Sequence, residues 1–332
     1  MRTIYLGDAP EHISNVYSAE TRERLSALTG IEDKIYSRAS VLATPEKFHD
    51  VQYIFATWGF PSFTEDEIRD AFPALECVFY SAGSVQEFAR PFLNCGVKVF
   101  SAWAANGVPV AEYTVAQIIL AGKGFLPLMR EYSSGGLATF EKRMVYPGSF
   151  GGSVGIVGAG MIGKLVIERL RGYRLNVLVF DPFLPDEKAK ELGVCKCPLE
   201  ELFSECQVVS NHLANNAQTR GILDYGLFCR MRPHSAFINT GRGAQVVEDD
   251  LVRILTERPD ITAMLDVTFP EPVAAGHPFF SLPNCFLTPH IAGSMGDEVR
   301  RMGEYMLDEY ELYVAGKPCR YEITEKMLET MA

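Results

Sequence analysis

One stretch constrains this chain more than any other: an apolar run that passes straight into a turn of spaced glycines. Ser153-Val154-Gly155-Ile156-Val157 reads as a buried strand. Gly158-Ala159-Gly160-Met161-Ile162-Gly163 follows without a gap, and Lys164 to Leu170 continue at helical spacing. A strand, a GxGxxG turn and a helix in this order form a cradle for a pyrophosphate. Gly158 serves the tight turn, Gly160 the approach of the phosphates, and Gly163 the close packing of helix on strand. Met161 and Ile162 open the helix, whose free N–H groups and partial positive charge face an anion.

The next strand, Asn176 to Phe180, ends at Asp181, 18 positions after Gly163. That is close to the roughly 20 expected of an acid that binds an adenosine ribose. Its charge repels a 2′-phosphate, and the next basic residue is Lys188. The expected cofactor is therefore NAD rather than NADP.

The rest of the chain supplies the context for this loop. With 332 residues, 47% hydrophobic and 22% charged, it has the composition of a two-domain globular protein. The net charge of −11 and the lack of a basic run argue against nucleic acid and anionic membranes as partners. The eight cysteines form no CxxC pair, so free thiols in a cytoplasmic protein and no metal site are expected. No apolar stretch is long enough to span a bilayer.

Strands at 51–56, 76–80 and 97–100 alternate with helical stretches at 65–71 and 85–93. A second alternating series follows, with strands at 153–157, 176–180, 206–210, 235–239, 261–265 and 285–288 and helices between them. Strands alternating with helices imply doubly wound parallel sheets, an α/β fold. A long helix, apolar nearly all round, is expected to start near Pro109, and an amphipathic one near Asp297.

Ligands of parallel sheets bind beyond the strand C-termini, and three polar residues stand at such ends. Arg242, in Asn239-Thr240-Gly241-Arg242-Gly243, can clamp a carboxylate through two hydrogen bonds, its flanking glycines leaving room for a ligand. Glu271 stands between Pro270 and Pro272. His290 follows Pro289 and is the one histidine of six at such a place. Histidine exchanges protons near neutrality. A proton carrier, an acid to orient it and favour its charged form, and a carboxylate anchor fit a 2-oxo acid or 2-hydroxy acid that gains or loses a hydride.

With these motifs in this order and spacing, the chain resembles the D-isomer-specific 2-hydroxyacid dehydrogenase family. The resemblance implies Arg242, Glu271 and His290 as the catalytic set, Asp266 at the nicotinamide carboxamide, and Thr240 and Asn211-His212-Leu213 along the cofactor. It implies a Rossmann-type NAD domain, residues 105–295, inserted into a flavodoxin-like substrate domain, residues 1–104 and 296–332. It also implies a homodimer formed through the helix near Pro109. Gly83 and Ser84 stand where the family's backbone meets the substrate carboxylate. The chain departs from the family pattern at Val85, at Ala214-Asn215-Asn216 and at Gly241.

Relatives acting on phosphorylated acids carry arginines in the loop that here holds Trp58 and Phe60. The expected substrate is thus an apolar or aromatic 2-oxo acid, with Trp103 as a further aromatic wall. Glyoxylate or hydroxypyruvate reduction is an alternative, as is an NADH-sensing regulator of the same fold. Formate dehydrogenases place Gln where Glu271 stands.

Overall fold

The computed structural model describes residues 2–136 and 139–329. The chain divides into two compact units: the residues up to Gly107 together with those from Ser294 onward, and Val108–Gly293.

The first unit is built on β1 (Arg2–Leu6), β2 (Ile35–Tyr36), β3 (Val51–Ala56), β4 (Cys77–Tyr80) and β5 (Lys98–Ser101). They lie in the order β2-β1-β3-β4-β5 and run parallel. A short strand at Glu322–Ile323 adds antiparallel to the β5 edge. Side chains of a strand alternate between faces, and here both faces are buried. Ile54, Val78 and Val99 enter one apolar cluster, while Tyr53, Phe55, Phe79 and Phe100 enter another. Phe55, Phe79 and Phe100 stack across three strands, with ring centroids 5.1 and 4.9 Å apart. Such cross-strand aromatic pairs each contribute about 0.5–1.5 kcal/mol beyond area burial. The helix Arg300–Val314 lays Met302, Met306 and Tyr310 on this aromatic face. Spaced four residues apart, they form the apolar face of the amphipathic helix expected near Asp297.

The second unit is built on β6 (Phe150–Val157), β7 (Arg174–Phe180), β8 (Cys195–Lys196), β9 (Val208–Asn211), β10 (Ala236–Asn239), β11 (Thr262–Leu265) and β12 (Cys285–Leu287). All are parallel, in the order β12-β11-β10-β9-β6-β7-β8. The order reverses between β6 and β9, which places a topological switch point at their C-terminal ends.

Two helices differ from expectation. The long one runs Trp103–Gly122 and holds Pro109 inside it rather than at its start. Pro109 has no N–H to give the Ala105 carbonyl, a loss that usually costs about 3 kcal/mol. Burial of Ala105, Val110, Ala111 and Ile118 offsets it. A helix at Leu199–Glu205, absent from the expected elements, buries Leu199, Leu202 and Phe203. No helix among the described residues is long and apolar enough to cross a membrane.

Candidate active site

Because the strands of the second unit are parallel, β6, β7, β9, β10, β11 and β12 all deliver their following loops to one sheet edge. Gly158, just past β6, has φ +94°. A Cβ there would sit 2.8 Å from the His212 carbonyl oxygen, across the switch point. A Cβ on Gly163 would collide with the Gly158 carbonyl, so strand and helix touch there. Gly160 faces open space, with nothing within 4 Å of a built Cβ. No side chain caps the helix Met161–Leu170 that it opens. Asp181 fixes the loop: its carboxylate accepts from Ala159 N (2.7 Å) and Phe183 N (2.8 Å). Open room over Gly160, an uncapped helix N-terminus and an acid at the end of β7 together fit a dinucleotide.

On the other side of the switch point, His212 N donates to Val157 O at 2.7 Å. The His212 ring reaches Ser210 Oγ through Nε2 (2.9 Å), while Nδ1 is buried with no partner among the described residues. Burial pushes this imidazole down to about 4. Thr240 Oγ1 pairs with Thr114 Oγ1 at 3.0 Å.

Arg242 follows β10 with its Nη1 donating to Gly241 O (2.8 Å). Burial lowers the proton affinity of its guanidinium, and the nearby Glu271 charge opposes that. The glycines beside it are not vacant room for a ligand. A Cβ on Gly243 would run into the Thr268 and Phe269 backbone, and one on Gly241 would meet Gln245 Oε1 and Asn211 Nδ2. The chain itself fills both spaces.

The loop after β11 brings Glu271 to His290, whose Nδ1 meets the Glu271 carboxylate oxygen Oε1. Both side chains are close to half exposed, so they are open to a ligand. Glu248 tethers that loop. Its Oε1 accepts from Phe269 N (2.7 Å) and its Oε2 lies 3.7 Å from His277 Nε2. Burial raises the Glu248 pKa.

Asp266 is buried and spends its carboxylate on the loop that carries His290. It accepts from Thr288 Oγ1 (2.6 Å), Ile291 N (2.8 Å) and Ala292 N (2.9 Å). Its carbonyl accepts from His290 N at 3.0 Å. His290 itself has φ +53°, a conformation disfavoured for a non-glycine residue. The Asp266 bonds on either side hold it there. Tyr113 OH extends the chain to Thr288 Oγ1 at 3.0 Å. The sequence singles out neither Tyr113 nor Gln245, and Asn211 and Asn239 only as neighbours of His212 and Arg242. A polar amide closing a buried strand, as Asn211 does, is the signal that could have found them.

In the first unit, Gly83 and Ser84 lie in the turn after β4. Ser101 Oγ binds the carbonyls of Ala82 (2.8 Å) and Gly83 (2.7 Å) and so holds that turn. Val85 is fully buried in the unit's core. Trp58 is exposed, edge-on to His12. Phe60 does not share its fate. It packs on Phe88 and Phe92, with centroids 4.7 and 5.7 Å away, because the apolar cluster beneath offers it more contact than the loop surface does. Trp103 packs partly buried against the same cluster and edge-on to Tyr321. Among the described residues, no group of three or more His, Cys, Asp or Glu is placed to hold a metal.

Residues 115–292 match the family model described as D-isomer specific 2-hydroxyacid dehydrogenase, NAD binding domain. The chain belongs to this family. The matched residues, glycine loop included, lie within the second unit. The chain is 31% identical over 232 residues to a formate dehydrogenase of Chaetomium thermophilum, covering 68% of this chain and 63% of the relative. It is 26% identical over 234 residues to a D-3-phosphoglycerate dehydrogenase of Archaeoglobus fulgidus, covering 70% and 44%. The match thus spans less than two thirds of the length of either relative. The crystal structure of a phosphoglycerate oxidoreductase from Rhizobium etli shares the fold over 98% of this chain and 99% of its own, with a TM-score of 0.78 at 23% identity.

Proposed function

We propose that the protein is an NAD-dependent oxidoreductase that interconverts a 2-oxo acid and a D-2-hydroxy acid. The observation that carries this reading is the pairing of Glu271 with His290 Nδ1, with Arg242 near enough to feel the Glu271 charge. A bound nicotinamide supplies or accepts the hydride. Glu271 occupies one ring nitrogen and fixes the ring, so Nε2 of His290 gives its proton to the carbonyl oxygen in reduction and takes it back in reverse. Arg242 anchors the neighbouring carboxylate through its planar fork. Gly158, Gly160, Met161, Ile162 and Gly163 receive the pyrophosphate, Asp181 the ribose, and His212, Leu213, Thr240 and Asp266 line the rest of the cofactor.

The named relatives act on formate and on D-3-phosphoglycerate. An acid held against a histidine suits a reaction in which a proton moves, which formate oxidation does not require. Gly83 and Ser84 receive the substrate carboxylate, and exposed Trp58 gives a substrate side chain an apolar contact rather than a charge partner for phosphate. With Phe60 committed to the core, Trp58 alone supports an apolar or aromatic 2-oxo acid.

NADH oxidation by the purified protein with phenylpyruvate, glyoxylate, hydroxypyruvate and 3-phosphohydroxypyruvate tests both levels. Turnover of none removes the enzymatic reading and favours an NADH-binding regulator. Preference for the phosphorylated acid removes the pocket reading.

A second copy of the chain is the proposed partner. The helix Phe125–Ser133 buries none of its side chains and exposes Phe125, Met129 and Tyr132, with Phe140 and Met144 exposed shortly after. A patch of this kind on a soluble protein marks a contact surface. Light scattering at the monomer mass would exclude the dimer. All eight cysteines are free, two of them exposed, which suits the reducing cytoplasm.

A further inference from the structure

Three neutral amide side chains meet beside the Arg242 turn: Asn211 at the end of β9, Asn239 at the end of β10, and Gln245 three residues past Arg242. All three are fully buried. Gln245 Oε1 accepts from Asn211 Nδ2 (2.5 Å) and from Arg242 N (3.3 Å), and its Nε2 donates to Leu213 O (2.6 Å). Asn211 Oδ1 accepts from Leu213 N (3.2 Å), and its Nδ2 also donates to Asn239 Oδ1 (3.0 Å). Asn239 Oδ1 accepts from Gly241 N (3.1 Å), and its Nδ2 donates to Arg242 O (3.1 Å).

The peptide groups at the edges of the network fix which way each amide points. An N–H can only donate and a carbonyl can only accept, so Leu213 and Arg242 leave no choice of orientation. The result is that both the N–H and the C=O of Arg242 are held by buried amides, and so are both those of Leu213. The turns that follow the adjacent strands β9 and β10 are thereby fastened to each other. A Cβ on Gly241 would lie 3.1 Å from Gln245 Oε1 and 3.2 Å from Asn211 Nδ2. Glycine at 241 leaves the room that this network needs.

We infer that Asn211, Asn239 and Gln245 are positioning residues that set the direction of the Arg242 side chain by fixing its peptide group. They touch neither substrate nor reacting atoms. The inference rests on the proposed role of Arg242 as carboxylate anchor, and it concerns substrate binding more than the hydride step. An anchor displaced by about 1 Å costs on the order of 10²-fold.

The test compares Q245L with the double variant N211L/Q245L. Q245L removes the partners of Arg242 N and Leu213 O and one of the two acceptors of Asn211 Nδ2, and the double variant also removes that of Leu213 N, so both lose stability, the double by more. Three quantities are read: thermal midpoint, NADH dissociation constant, and KM for the 2-oxo acid that the wild type turns over best. Amide hydrogen exchange over 211–214 and 240–246 provides a readout independent of turnover.

The expected result for the double variant is a lowered midpoint in a protein still folded at assay temperature, NADH binding within a few-fold, a KM raised at least tenfold, and faster exchange in both segments. Wild-type KM together with wild-type exchange would overturn the inference and leave the network a purely structural one. If the double variant does not fold, Q245M keeps the volume of Gln245, removes its hydrogen bonds and is judged by the same criteria. If the wild type turns over no 2-oxo acid, the proposed function fails by itself. The network is then judged by exchange alone, faster exchange supporting it and unchanged exchange overturning it.

Discussion

Glu271 and His290 lie 19 positions apart in the chain, yet a carboxylate oxygen of one meets Nδ1 of the other. The loops that carry them leave adjacent strands, β11 and β12, and so start at the same sheet edge. H290A should still bind NADH but lose about 10²–10⁴-fold in 2-oxo acid reduction. E271Q keeps an acceptor for the ring and removes its charge, while E271A removes both. We expect a loss of about tenfold for the first and a larger one for the second. Equal losses in steady-state kcat would mean that ring orientation contributes nothing.

Arg242 offers a flat fork of donors beside a half-exposed acid. R242A should lower kcat/KM by roughly 10²–10³-fold, the worth of a charge-assisted hydrogen bond pair. R242K should recover little of it, since an ammonium cannot make two parallel bonds to a carboxylate. Full activity in R242K would show that charge alone suffices.

The glycines of the phosphate loop separate folding from binding. A Cβ on Gly160 would meet nothing within 4 Å, whereas one on Gly163 meets the Gly158 carbonyl. G160A should therefore keep the wild-type thermal midpoint and weaken NADH binding. G163A should lose about 1–3 kcal/mol of stability through overpacking. Calorimetry together with NADH fluorescence titration distinguishes the two; unaltered NADH affinity in G160A would remove the phosphates from that space.

Much of the fold and of the candidate site is legible in the sequence. The phosphate loop could be read because its determinants are consecutive, strand then turn then helix. Arg242, Glu271 and His290 could be read because strand ends are local features and parallel strands share an edge. What escaped depends on contacts distant in the chain. Pro109 reads as a first-turn residue until the burial of Ala105 on its N-terminal side is known. Phe60 and Trp58 are both loop aromatics, and only the cluster around Phe88 and Phe92 tells them apart. Asn211 and Gln245 stand 34 positions apart, and nothing in either neighbourhood announces the other.

His212 makes stability depend on acid. Its folded-state pKa is lowered by burial from the usual 6.5 to about 4, so the unfolded chain binds a proton that the folded one refuses. This contribution is complete above pH 6.5, falls as the pH drops from 6.5 towards 4, and is flat below that. It amounts to at most about 3 kcal/mol. Urea titrations at stepped pH should show this slope in the wild type and a shallower one in H212N. Parallel curves would mean that the buried ring is not the cause.

Glu309 is fully buried in the first unit and gathers the segment that follows the last long helix. It accepts from Arg320 N (2.8 Å), Tyr321 N (3.1 Å) and Arg320 Nε (2.9 Å). E309A leaves these donors without an acceptor and should cost about 2–4 kcal/mol by denaturant unfolding. A cost below about 1 kcal/mol would show that water replaces the carboxylate there.

The return of the chain to its first unit has a consequence for biogenesis. Residues 2–101 supply the parallel strands of that unit, but its aromatic face is covered by Met302, Met306 and Tyr310, and its open edge is closed by Ile323 pairing with Val99. A ribosome working from the N-terminus therefore releases the intervening nucleotide-binding unit with all its strands before the opening unit can be completed. These strands emerge before the segment that covers them, and until then the stacked phenylalanines stand exposed in a partly folded chain.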